Sequence, residues 1–516
     1  MGNYLNPDNE NFKQALKNEI YVDKTLLISK ISKRIGSKDS KLCISRPRRF
    51  GKSTDADMLV AYYSKGVDSS SLFDSLKISQ SGIYLEHLNK HNVIYLNMQD
   101  CFSRTKSVEG MIRFLSRRVI DEIIDEFDLK NLFDDSDLGI TIEDLYKKEK
   151  EQFIFIIDEW DCIFRSTTKE DYEQYLDFLR TLLKDKPYVE LVYMTGILPI
   201  KKYGTHSALN MFQEISMLNP FGYSKFMGFT EDEVKELCIK YNMDFKEMQG
   251  WYNGYHLDDR VSVYSPRSVV YAIESNKYDN YWTSSETYEL LAQYITMNFD
   301  GLKETVIKLM AGEKVRVNTK RFQNDMTTFK SKDDVLTLLV HLGYLGYDFD
   351  HKQVYIPNHE VESSFVDSIE DSSWKEVTQA VINSYDTLQA LWNKDAQKVA
   401  QYIEQAHLET SILQYNDENA LAYTVYLALI AAKDHYTMIR ELPAGKGFAD
   451  IAFIPYGDKP AMIVELKWDK DADSAIKQIK NKQYPKSLEK YQDNLIIVGI
   501  NYDKVTKKHT CIIEAK

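Results

Sequence analysis

The sequence predicts an α/β chain: a parallel sheet flanked by helices at the N-terminal end, a mainly helical middle, and an α-β-β-α-β unit at the C-terminal end. Three observations predict it. Through the first 220 or so residues, apolar segments of strand length alternate with amphipathic segments of helix length, the pattern of a sheet with helical crossovers. From about Phe229 the alternation gives way to apolar residues at three- and four-residue steps. The last hundred or so residues mix the two textures again. The expected division is 1–220 for the sheet domain, 221–300 for a helical lid, 301–411 for a connecting region with a small hairpin, and 412–516 for the last unit.

In chain order, "KLCIS", "NVIYLNM", "FIFIID" and "ELVYMTGI" read as buried strands of the first sheet. Between them "STDADMLVAYYSKG", "VEGMIRFLSRRVIDEIIDEF" and "KEDYEQYLDFLRTLLKD" carry the helical spacing. "TEDEVKELCIKY" opens with Thr230 and Glu233, a capping-box pair that marks a helix start. "WYNGYHLDD" reads as short turns, and "YLGYDFDHKQVYIPN" as the small hairpin. "NALAYTVYLALIAAKDHY" and "AIKQIKNKQYPKSLEKY" are the expected helices of the last unit, and "NLIIVGINYD" its final strand.

At 516 residues the chain is too long for one ordinary core, and about 150 residues per domain suggests roughly three. A hydrophobic fraction of 43% beside 28% charged residues is that of a globular protein. The longest apolar runs are strand-length, short of the roughly 20 residues of a membrane helix, so no span is expected. The N-terminus has no secretory pattern, and Asn6 stands where a myristoylation signal needs Ser or Thr. The five cysteines have no CxxC spacing, which argues against a zinc site or a disulfide framework and for a reducing cytoplasm. A net charge of −13 argues against non-specific coating of nucleic acid.

The stretch "ISRPRRFGKST" joins a strand to a helix and ends as a phosphate-binding P-loop does. Successive backbone N–H groups and a helix N-terminus would cradle an anion there, from Arg46, Pro47, Arg48, Arg49 and Phe50 through Gly51 to Thr54. Lys52 would reach the β- and γ-phosphates of ATP, and the Ser53 hydroxyl would coordinate Mg²⁺. Arg46 replaces the motif's first glycine, and Pro47 compensates by fixing φ. Roughly 105 residues on, "FIFIIDEWD" delivers Asp158 to the Mg²⁺ shell and Glu159 to the attacking water. Thr195, polar near the end of the strand "VYMTGI", is a candidate γ-phosphate sensor, and Arg267 and His206 are further candidates from the lid.

"YVDKT" (Tyr21 to Thr25), "SRPRRFGKS", "IIDEWD" and "MTGI" closely resemble the bacterial AAA-ATPase-like family, P-loop NTPases related to archaeal ATPases of the signalling STAND group. The resemblance covers approximately residues 5–290, and in that family the RPRRFGKS loop is usual. It implies ATP binding and hydrolysis tied to a conformational switch, with adenine near "YVDKT".

The second constellation lies in "GFADIAFIPYGDKPAMIVELKW". A two-residue hairpin turn at Gly457 and Asp458 makes Asp450 and Glu465 direct cross-strand neighbours, about 5 Å apart at Cβ. Strand alternation puts Lys467 on the face of Glu465 and Leu466 on the other. Two carboxylates so close repel unless a divalent cation lies between them, which asks for Mg²⁺ or Mn²⁺, with the Leu466 carbonyl as a further ligand. Lys467 would position or deprotonate a water for attack on a phosphodiester. Pro460 is compatible with this register only where no ladder donor is needed.

With its α-β-β-α-β order, this region resembles the PD-(D/E)XK nuclease superfamily, whose fold is restriction-endonuclease-like, over approximately residues 412–516; Ala449 replaces the proline of the signature. The resemblance implies a further acid at Glu418 and a site-supporting Gln478. Lys480, Lys482 and Lys486 are read either as a solvated face or as contacts to a phosphate backbone. The expected function is an ATP-driven switch controlling a nuclease that acts on nucleic acid, DNA favoured, in anti-phage or related genetic-conflict defence. The alternative is a STAND-type signalling ATPase whose C-terminal domain is a binding module. No membrane partner is expected, and homo-oligomerisation is left open.

Overall fold

The computed structural model describes residues 2–129, 137–165, 169–200, 209–257, 261–282, 287–297, 299, 301–323, 329–370, 375–409, 418–444, 447–481, 491 and 494–515. His206, Lys482 and Lys486 lie outside the described residues. The chain forms two compact units, one of residues Met1–Trp282 with Arg316–Val361, the other of Thr283–Val315 with Glu362–Lys516.

The first unit is built on β1 (Lys41–Ser45), β2 (Asn92–Asn97), β3 (Phe153–Asp158), β4 (Val189–Gly196) and β5 (Gln213–Ile215), in the order β2-β3-β4-β1-β5. Every neighbouring pair is parallel. Alternation along the strands feeds two cores. Cys43, Phe153, Phe155 and Ile157 face one cluster, while Leu42, Ile44, Ile154 and Ile156 face the other. Such two-sided burial explains why these strands read as continuous apolar runs. The helix Val108–Phe127 lies on the first face, and Lys52–Tyr63 on the second.

The capping box forms as expected: the Thr230 hydroxyl accepts from the Glu233 amide at 3.4 Å, and the Thr230 amide donates to the Glu233 carboxylate at 2.8 Å. The lid region is not purely helical. It also holds a small antiparallel sheet of β6 (Phe229–Thr230), β7 (Tyr255–His256) and β8 (Ser262–Tyr264). A two-residue strand, β9 (Val315–Arg316), precedes the expected hairpin, which forms from β10 (Gly346–Asp348) and β11 (Gln353–Tyr355).

In the second unit the helices Lys375–Trp392, Ala396–Glu409 and Glu418–Ala428 accompany a second five-stranded sheet. Its strands are β12 (Tyr436–Ala444), β13 (Gly447–Pro455), β14 (Ala461–Trp468), β15 (Leu495–Asp503) and β16 (Lys508–Ala515), and the sheet runs in that order. Only β14 and β15 are parallel, with the helix Ala472–Asn481 as their crossover. The expected helix, two strands, helix and strand are present, and two strands add to them. β12 and β16 are the sheet's edges, where half-covered side chains weaken the apolar pattern. Among the described residues no helix is long and apolar enough to cross a membrane.

Candidate functional site

The C-terminal ends of parallel strands collect polar groups because the next helix begins there with its amides unpaired. At the end of β1 the chain turns through Arg46–Phe50 into the helix Lys52–Tyr63, with Gly51 at φ 87° as its cap. Only a residue without Cβ takes that conformation without strain. Lys52 is buried, and its ammonium donates to the carbonyls of Arg46 at 3.0 Å and Pro47 at 2.8 Å, curling the loop around it. Ser53 and Thr54 are exposed on the first turn.

Arg46 is fully buried, with one guanidinium nitrogen donating to the Ser45 carbonyl at 3.0 Å. It belongs to the loop's interior. Pro47 is buried and Arg48 half-buried. Phe50 is buried edge-on against Tyr255 and Trp282. Arg49 takes a left-handed conformation, φ 68°, and its guanidinium donates to the Tyr281 carbonyl.

Asp158 ends β3, buried, and the Thr195 hydroxyl on neighbouring β4 donates to its Oδ1. The Glu159 amide donates to the same oxygen at 3.1 Å. Asp158 Oδ2 is buried with no hydrogen-bond partner among the described residues, and such an oxygen is costly unless something binds it. A carboxylate oxygen left open in this way is the kind of hard donor a divalent cation takes. Glu159, at φ 53°, is half-buried beside it.

A cavity of about 520 Å³ opens beside the loop, lined among others by Tyr21, Lys24, Arg49, Gly51, Thr54 and Arg267. The expected "YVDKT" segment thus forms one wall. Lys24 donates to the Lys225 carbonyl at 2.8 Å and pairs with Glu233 at 2.5 Å, fastening that wall to the capped lid helix. Burial pulls the Lys24 pKa down, and Glu233 resists. Asp55, on the same helix turn as Lys52, is buried deeply enough that its pKa rises well above the carboxylate range, against the attraction of Lys24 and Lys52.

Sequence reasoning missed three residues here. Asp161, inside the quoted "IIDEWD", accepts from the amides of Ile197 at 3.0 Å and Leu198 at 2.8 Å, fixing the chain that leaves β4. Its signal was present in the motif. Tyr281 and Glu360 belong to no motif, and only the fold brings them to Arg49 and to each other.

In the second unit the β13–β14 ladder pairs Ile451 with Val464, Ala452 with Ile463 and Phe453 with Met462, the register set by a turn at Gly457 and Asp458. The ladder stops short of the turn, so Pro460 lies outside it and no donor is missed. At the other end Asp450 accepts the Leu466 amide at 2.6 Å on its Oδ2. Glu465 is fully buried, and its Oε1 accepts from Lys467 at 3.3 Å and from Gln478. Gln478 thus contacts Glu465 directly. Lys480 pairs with Glu514 at 2.6 Å, and Glu418 is exposed at the start of its helix. Among the described residues no three His, Cys, Asp or Glu side chains converge. Asp450 and Glu465 follow directly on the last pair of this ladder, Ile451 with Val464, and carboxylate oxygens are the hard donors an ion such as Mg²⁺ takes.

Gly499 of β15 stands in register beside Glu465. A Cβ there would lie 2.6 Å from the Ala472 carbonyl, so its absence lets the helix Ala472–Asn481 approach and brings Gln478 over Glu465.

Residues 9–205 match the model of the AAA-ATPase-like family, described as predicted AAA-ATPases, and residues 416–512 match a model of the PD-(D/E)XK nuclease superfamily. An uncharacterized protein encoded in the vnfD 5′ region of Azotobacter chroococcum mcd 1 is 25% identical over 285 residues, 54% of this chain. The chain spans about half the length of that curated relative, 52%. Among solved structures, the Walker-type ATPase PABY2304 of Pyrococcus abyssi aligns over 66% of this chain and 94% of its own, at 12% identity and a TM-score of 0.34. The ORC2 protein of Aeropyrum pernix aligns over 68% of this chain and 96% of its own, at 11% identity and a TM-score of 0.30.

Proposed function

We propose that this chain, which joins an AAA-ATPase-like domain to a PD-(D/E)XK nuclease-superfamily domain, is an ATP-binding and ATP-hydrolysing switch that controls a metal-dependent nuclease. The four-part division into 1–220, 221–300, 301–411 and 412–516 is part of the same proposal. The observation that carries the ATP reading is the buried Asp158 Oδ2, without a hydrogen-bond partner among the described residues, at the strand end neighbouring the P-loop strand's partner β4.

In this reading Arg46 to Thr54 hold the phosphates, with Lys52 released from the loop carbonyls to the β- and γ-phosphates. Ser53 and Asp158 hold Mg²⁺, which when bound neutralises charge developing on the phosphates. Glu159 orients the attacking water and takes its proton, while Thr195 links the γ-phosphate to Asp158.

At the second site Asp450, Glu465 and the Leu466 carbonyl hold Mg²⁺ or Mn²⁺, which supplies Lewis acidity at a phosphodiester. Lys467 positions the attacking water and Gln478 holds Glu465 in place. DNA is the favoured substrate, anti-phage or related genetic-conflict defence the proposed setting, and the cytoplasm the proposed compartment, in keeping with five free cysteines.

The test is incubation of the full chain with linear, circular and single-stranded DNA and with RNA, in Mg²⁺ or Mn²⁺, with and without ATP, beside Asp450→Asn. Cleavage that needs the metal, depends on ATP and is lost in the variant supports the proposal. Equal inertness of both proteins on every substrate refutes the nuclease half and favours a signalling ATPase with a C-terminal binding module.

A further inference from the structure

Arg49 lines the cavity beside Gly51 and Thr54, yet its guanidinium is bonded to a backbone carbonyl, that of Tyr281. A single neutral carbonyl is a weaker partner for a guanidinium than an anionic phosphate, which adds the opposite charge and can accept from two guanidinium nitrogens at once. A triphosphate in the loop therefore competes for Arg49.

What Arg49 holds is no ordinary piece of loop. The Tyr281 amide donates at 2.9 Å to Glu360, the second residue of the helix His359–Glu370. The other Glu360 oxygen accepts from the Ser268 hydroxyl at 2.9 Å, on the helix Pro266–Ser275 that also carries Arg267 into the cavity wall. Glu360 is buried, so these bonds are not replaceable by water. The chain leaves the first compact unit immediately after Trp282 and again after Val361. Tyr281 and Glu360 are each one residue from such an exit, and one carboxylate ties the two together.

We propose that Arg49, Tyr281 and Glu360 couple the nucleotide loop to the two places where the chain departs for the second unit. Arg49 exchanges between the Tyr281 carbonyl and the triphosphate, and Glu360 passes the resulting change at Tyr281 into its own helix. This inference rests on the ATP-switch reading above and names how that switch is transmitted.

The test is amide hydrogen exchange on the full chain with and without Mg·ATP, for wild type, Glu360→Gln and Ser268→Ala. In all three, ATP should protect residues 45–60. In wild type, ATP should also change exchange by about threefold or more across 279–282 and 359–366. Glu360→Gln should lose this second response and Ser268→Ala should weaken it, at unchanged loop protection. A merely structural Glu360 would raise exchange without altering its dependence on ATP. Loop protection without any response at the exits, or an undiminished response in Glu360→Gln, overturns the coupling and leaves the ATP reading standing. No protection of the loop itself overturns both.

Discussion

The Thr195 hydroxyl on β4 donates to Asp158 Oδ1 on β3, between two buried side chains at the ends of adjacent parallel strands. Among the described residues, replacing it in Thr195→Val leaves Asp158 with one amide donor and a second oxygen already without a partner. The expected loss is about 1–3 kcal/mol, read as a lower Tm. Turnover of ATP should fall more than its affinity, since the hydroxyl holds the carboxylate proposed to bind Mg²⁺.

The two halves of the first site should separate kinetically. Lys52→Ala removes the cation proposed to bind the β- and γ-phosphates and should abolish binding of a fluorescent ATP analogue. Glu159→Gln should keep the analogue bound while lowering hydrolysis by about 10²–10⁴-fold, the usual worth of a general base. Equal loss of binding in both variants would remove Glu159 from the chemistry.

Glu465 and Lys467 are both buried and paired, so removing one partner strands a charge. Lys467→Met alone should destabilise the second unit by about 3–5 kcal/mol. The double variant Glu465→Gln with Lys467→Met should recover part of that loss. A thermal-shift double-mutant cycle measures the difference.

Gly499→Ala places a Cβ against the Ala472 carbonyl and the Ala475 and Ile476 side chains. Overpacking of this kind costs about 1–3 kcal/mol and should push the helix Ala472–Asn481 outward. Gln478 would then withdraw from Glu465, and cleavage activity should fall beyond what the loss of stability explains.

Burial raises the Glu360 pKa to about 8, against hydrogen bonds from Ser268, Tyr281 and Trp282 and the charge of Arg49. A carboxyl whose folded pKa is raised stabilises the fold fully below its unfolded value, and that contribution is lost as pH climbs toward the folded value. From about pH 4.5 to pH 8, this group's contribution to stability should therefore decline. Glu360→Gln, neutral throughout, should show a shallower fall in Tm between about pH 5 and pH 8.

The central strands were legible because burial on both faces makes them continuous apolar runs, as in "FIFIID". The helix Val108–Phe127 was legible from its spacing, and the Thr230–Glu233 cap from residue type alone. The β5, β12 and β16 strands were not recognised, and all three are sheet edges. An edge strand has one neighbour, often a wet face, and a short or mixed sequence such as "QEI" in β5. The same divide runs through the sites. Gly51, Lys52 and Asp158 sit in motifs whose residue types follow from phosphate chemistry. Asp450 and Glu465 followed from turn geometry. Glu360 contacts Tyr281 at a separation of 79 positions, and nothing local to either residue announces the contact.

The two compact units are each made of separated stretches of chain, and this bears on biosynthesis. The first unit needs Arg316–Val361 as well as the N-terminal 282 residues, so a growing chain cannot close it when Trp282 emerges from the ribosome. It must wait for Glu360, the acid that receives the Tyr281 amide. A shortened gene ending near residue 300 would accordingly encode a nucleotide-binding half that lacks a buried piece of itself. A functional separation of the two halves would have to cut at neither of the textural boundaries in the middle of the sequence, and instead keep Arg316–Val361 with the N-terminal residues.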